Sequence, residues 1–152
     1  MNTMFHTATS AVPVLFAQLM SSPAFHQKGI AAQRGKAGIY VFFEDGVPVH
    51  VGRTRNLGGR LRGHITRSHY SASFAFKRAR RALARAATYT TEGSRGHLSK
   101  DPVFGAEFHR QIEAVRAMQV RFVEVTDPVL QYLLELYACL ELQLPLDEFD
   151  TH

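Results

Sequence analysis

Residues 38–64, GIYVFFEDGVPVHVGRTRNLGGRLRGH, decide how this chain folds. Two alternating segments flank Glu44-Asp45-Gly46, which suits a three-residue hairpin loop with its glycine in the left-handed region. Pairing Phe43 with Val47 then sets Val41 against Val49 and Ile39 against Val51, so one face is apolar. In that register Tyr40 lies directly opposite His50 on the other face, close enough to share a small site. A Gly-x-Thr-x-Asn turn follows, and Asn56 caps a helix over about 56–66 that turns Leu57, Leu61 and Ile65 inward. Arg60 and His64 are four apart on that helix and project to one side. Polar residues from three consecutive elements point to a site.

Size and composition frame this motif. At 152 residues, with 45% hydrophobic and 20% charged residues, the expectation is one globular domain with a substantial core. The single cysteine, Cys139, excludes an internal disulfide framework and a thiolate zinc cluster, and reads as an inert helical residue. No stretch approaches the roughly 20 apolar residues that span a bilayer. The opening MNTMFHTATSAVPVLFAQLM has an apolar patch but no basic residue ahead of it, unlike a signal peptide. A cytoplasmic protein is expected.

Charge is distributed unevenly. The net charge is +5, yet between Asp45 and Glu92 there is no acidic residue, while Arg53, Arg55, Arg60, Arg62, Arg67, Lys77, Arg78, Arg80, Arg81 and Arg85 are all basic. The last 52 residues hold ten acids against Arg110, Arg116 and Arg121. A one-sided positive field attracts a polyanion through counterion release, so DNA or RNA is the expected partner.

Elsewhere, a short helix is expected over 10–20, followed by connectors. Residues 73–88 read as a helix with Phe76, Ala79, Leu83 and Ala86 inward and Lys77, Arg78, Arg81 and Arg85 on a separate stripe. That stripe suits backbone phosphates; Phe74, Tyr70 and Tyr89 lie near it and could stack on exposed bases, although for Phe74 core packing is the expected use. Residues 89–100 read as a mobile polar loop. Asp101-Pro102 opens a helix to about 118, Gln119 to Val125 forms a third strand, and Asp127-Pro128 opens a helix to about 143. Leu133, Leu140 and Leu144, with Val129 and Tyr137, form that last helix's core stripe, with Glu135 on the opposite, solvated or cleft-facing side.

Gly38-Ile39-Tyr40, His50-Val51-Gly52 and Arg60 stand at ten-residue steps, and this pattern resembles the GIY-YIG nuclease motif. His50 and Val51 replace the tyrosine and isoleucine of the second triplet. The resemblance covers roughly 38–65 and 120–150, and it implies an α/β fold with a small, mainly antiparallel three-stranded sheet flanked by helices. An Arg-rich helical insertion at about 66–118 would interrupt this single domain. It also implies a metal-dependent endonuclease acting on DNA. In this pattern Arg60 takes the catalytic arginine position, with Gly38 and Gly52 in support. Glu135 holds Mg²⁺ or Mn²⁺, with Asp147 twelve residues on where the family has asparagine; Glu141 competes for the glutamate position.

The residue chemistry suits these roles. A carboxylate with phosphate oxygens can hold a hard dication, and an arginine fork matches phosphate at any working pH. Tyr40 would relay or accept the water's proton only if its pKa were lowered from near 10. His50 can accept a proton near neutrality, or it can preserve only a hydrogen bond. His64 would orient phosphate or nucleophile. Arg53 and Arg55 join Lys77, Arg78, Arg81 and Arg85 as nucleic-acid contacts, and His69, His97 and His109 read as structural or surface residues. Two other readings remain: a lapsed nucleic-acid-binding module of the same fold, and a protein that binds an acidic partner.

Overall fold

The computed structural model describes residues 2–27, 32–84 and 93–146. The expectations for Arg85, Tyr89 and Asp147 lie outside them. The chain divides into two compact units, Met1–Arg60 with Met118–His152, and Leu61–Ala117.

In the first unit, strand β2 (Gly38–Glu44) and strand β3 (Val47–Thr54) form the hairpin. Its loop has two residues, not the expected three. Asp45 and Gly46 both take positive φ, 51° and 80°, and Glu44 pairs with Val47. Such a turn matches the twist of the strands it joins. Alone, it would slip the expected register by one residue and reverse the faces. A bulge adds a second residue: Phe43 pairs with Pro48 but Phe42 with His50, which leaves Val49 extra. Pro48, with no N–H for the ladder, sits at this irregularity. The direct partner of Tyr40 is therefore Gly52, and that of His50 is Phe42. Tyr40 and His50 keep a common face but meet diagonally.

The sheet has four strands, not three. Strand β1 (Phe25–His26), between two segments read as connectors, pairs with strand β4 (Gln119–Glu124), giving the all-antiparallel order β1-β4-β2-β3. Two residues carry too little alternation to be read as a strand. The Ser22 hydroxyl accepts from the Phe122 amide at 3.2 Å, and the Ser22 carbonyl accepts from Arg121. Both bonds tie the β1 approach to β4.

Helix α1 (Thr3–Ser21) and helix α6 (Pro128–Glu141) supply the apolar cover of Ile39, Val41 and Val51. Asn2 caps the first helix, accepting from the Phe5 amide, so it starts well before residue 10. Asp127 caps the second through the Val129 and Leu130 amides. The expected stripe of α6 holds for Leu133, Tyr137 and Leu144, which pack against the core, and is otherwise corrected. Its buried residues are Gln131, Leu134, Glu135, Ala138 and Cys139, whereas Val129 and Leu140 are 51% and 59% exposed. Apolar residues surround this helix, so periodicity alone could not choose the inward side. Helix α2 (Leu57–His64) follows the hairpin, its Gly59 amide donating to Asn56 Oδ1 at 3.3 Å.

In the second unit, helices α3 (Ser73–Ala82), α4 (Arg95–Ser99) and α5 (Pro102–Arg116) gather around Phe76. The Phe76 ring lies 4.8 Å from Phe104 and 5.4 Å from Phe108. Phe76 and Ala79 are buried as expected, but α3 stops at Ala82 and Leu83 is only half-buried. The loop expected through residue 100 contains α4, whose cap is the Ser94 hydroxyl accepting from the His97 amide. No described helix is long and apolar enough to cross a membrane.

Candidate active site at the hairpin edge

Tyr40 and Gly52 define the floor of the site. A Cβ on Gly52 would lie 2.3 Å from the Tyr40 phenol oxygen, so the ring occupies the space a side chain would take. Because β3 is the outer strand, this carries the phenol towards the edge of the sheet. Gly38 is required for another reason: its Cβ would meet the Val123 carbonyl at 2.0 Å, where β4 closes on β2. Both glycines of the motif thus answer a close approach.

At that edge Arg60 donates a hydrogen bond to the Tyr40 phenol. Burial nevertheless raises the Tyr40 pKa above its usual 10; the Arg60 charge and hydrogen bond lower it, and the charge of Glu135 raises it again. These surroundings favour the neutral phenol, the opposite of the lowering that proton acceptance would need. As a neutral phenol Tyr40 can orient a water or a phosphate oxygen.

Glu135 is not on a solvated face. Its side chain is 1% exposed, and Oε2 lies 3.0 Å from Arg53 Nε. The Arg53 guanidinium stacks 3.9 Å from the centre of the Tyr132 ring. Burial pushes the Glu135 pKa up to about 7, against the lowering effect of Arg53. The arginine makes this burial tolerable, since a lone carboxylate would be far costlier there. The pairing was missed in the sequence, although alternation from Val51 does turn Arg53 towards α6. The competing Glu141 is exposed at the end of that helix.

His50 is 2% exposed and stacks on Phe42 with centroids 5.7 Å apart, while Tyr40 lies 6.0 Å away. The Tyr40, Phe42 and His50 rings form one cluster on this face of the hairpin. His64, also buried, sets its ring edge-on to Phe74 at 6.4 Å within the second unit. Arg55 is exposed. The basic stripe is not uniform: Arg81 is exposed, Lys77 is half-buried, and Arg78 Nε donates to Gln111 Oε1 at 2.8 Å.

No group of three or more metal-ligating His, Cys, Asp or Glu side chains occurs among the described residues. Glu135 offers one carboxylate, in contact with Arg53. That suits a dication held mainly by water and substrate phosphate, provided Glu135 is ionised and Arg53 turns away. No family model, no curated protein and no solved structure matches the chain.

Proposed function

We propose that this chain is a GIY-YIG-type, metal-dependent endonuclease that hydrolyses phosphodiester bonds in DNA, acting in the cytoplasm. The observation that carries the reading is that Arg60 bonds to the Tyr40 phenol while the charges of both Arg60 and Glu135 reach it. Arg60 binds the scissile phosphate and neutralises the charge that develops on it. Tyr40, a neutral phenol held by Arg60, orients the attacking water. His50, beside Tyr40, takes the water's proton. Glu135 would hold Mg²⁺ or Mn²⁺, which when bound supplies Lewis-acid stabilisation of the phosphoryl oxygens.

A second reading is favoured by the Arg53–Glu135 contact. A carboxylate already matched by an arginine suits a nucleic-acid-binding module that no longer cuts. Plasmid nicking in Mg²⁺ or Mn²⁺, with wild type beside Glu135→Ala, separates the two. The nuclease reading expects metal-dependent nicking that Glu135→Ala abolishes. Retained DNA binding without nicking on supercoiled, linear and branched substrates assigns the binding module. Indifference to nucleic acid with saturable binding of an acidic protein would overturn both.

A further inference from the structure

Within the second unit, two arginines share one aromatic ring. The Arg80 guanidinium carbon lies 4.9 Å from the centre of the Phe76 ring, and that of Arg95 lies 5.1 Å from it. His69 borders the same ring, its centroid 6.2 Å away. Arg80 Nε and His69 Nε2 are both buried, and neither has a hydrogen-bond partner among the described residues.

Among the described residues of this unit, the acids are engaged elsewhere. The described acids of Leu61–Ala117 are Asp101, Glu107 and Glu113. Asp101 caps α5 through the Val103 amide, Glu107 binds Arg110 and Gln111, and Glu113 pairs with Arg116. Burial and then the charge of Arg95 lower the pKa of both His69 and Arg80, as expected where cations gather. A buried donor left without an acceptor is costly, and cations brought together without an anion repel. Both costs fall when a doubly acceptor-rich anion enters.

We propose that Arg80, Arg95 and His69 form a phosphate-binding site, and that its ligand is a backbone phosphate of single-stranded nucleic acid. Guanidinium forks match phosphate oxygens in geometry as well as charge, and contact with the Phe76 ring restrains both side chains. The single-stranded preference comes from Tyr70. It is 76% exposed and tilts over the His69 ring at 4.1 Å, leaving a π-face free for an unpaired base next to the bound phosphate. This site takes Arg80, at the edge of the stripe expected on α3, and none of Lys77, Arg78 and Arg81. It rests on the nucleic-acid reading above only for its choice of polymer, and it does not require cleavage.

The test is an NMR titration of the full chain, following the His69 ring and Arg80 Nε resonances, with no assay of cutting. The probes are inorganic phosphate, a short single-stranded oligodeoxynucleotide and the same sequence as duplex. The expected result is that both phosphate and single strand move these resonances, with the single strand binding more tightly than the duplex. Arg95→Gln and Arg80→Gln should each weaken binding on the order of tenfold or more. Tyr70→Ala should weaken the single strand by a similar factor and leave inorganic phosphate unchanged. Should Arg80→Gln fail to fold, Arg95→Gln and Tyr70→Ala still decide the matter. Movement with phosphate but not with the oligonucleotide would overturn the polymer and leave a small-phosphate site. Unmoved resonances with every probe, or unchanged affinity in Arg95→Gln, would overturn the site itself.

Discussion

The Tyr40 phenol rests in the space that Gly52 leaves by lacking a side chain; a Cβ there would approach within 2.3 Å of both Cζ and the oxygen. Gly52→Ala must therefore push the ring out of its place over β3. It should cost roughly 1–3 kcal/mol of stability, the usual range for overpacking, and it should break the Arg60–Tyr40 hydrogen bond. Denaturant unfolding measures the first effect. A normal unfolding midpoint in Gly52→Ala would show that the ring relocates freely.

Glu135 predicts an unusual pH dependence. Its pKa rises from 4.5 to about 7 on folding, so between those values the folded chain holds a proton that the unfolded chain has released. The contribution to stability is complete below the unfolded value and is lost as pH rises through about 7. Its size is on the order of 2–3 kcal/mol. Glu135→Gln should flatten the stability profile across that window, and an unaltered slope would place the titration elsewhere.

Arg53 sets the other half of the pair. Arg53→Met removes the cation beside a buried carboxylate while keeping some contact with Tyr132. The Glu135 carboxyl should then titrate at still higher pH, read directly from its ¹³C resonance. If the resonance titrates at the wild-type pH, the 3.0 Å contact carries no electrostatic coupling.

His50 separates a structural from a chemical role. It is 2% exposed and stacked on Phe42, so His50→Ala should leave a cavity that costs roughly 2–4 kcal/mol. If His50 is the proton acceptor, cleavage should also fall on the order of 10² to 10⁴ under conditions where the variant stays folded. His50→Tyr should keep some activity and shift its pH profile to the alkaline side. Full-speed cleavage by folded His50→Ala would reduce the residue to packing.

Arg78 and Arg81 should behave differently although they are neighbours on one helix. Arg78 is bonded to Gln111, which donates in turn to Glu107 at 2.8 Å, so Arg78→Ala should cost about 1 kcal/mol of stability. Exposed Arg81→Ala should cost almost none. Equal unfolding midpoints for the two variants would show that the α3–α5 bond contributes nothing.

Much was legible in the sequence because it is local. Asp127 before Pro128, Asp101 before Pro102 and Asn56 before its glycines each cap the helix they announce, since capping needs only residues two or three positions apart. The hairpin, the third predicted strand and the shared face of Tyr40 and His50 follow from alternation. Tertiary structure decided what alternation could not. The two-residue turn and the bulge at Val49 set which residue faces Tyr40, because register depends on turn geometry and not on apolar pattern alone. The inward side of α6 was chosen by competition between the sheet and α1 for a helix apolar on nearly every side. Glu135 could be buried only because Arg53, eighty-two positions earlier, arrives beside it to balance the charge.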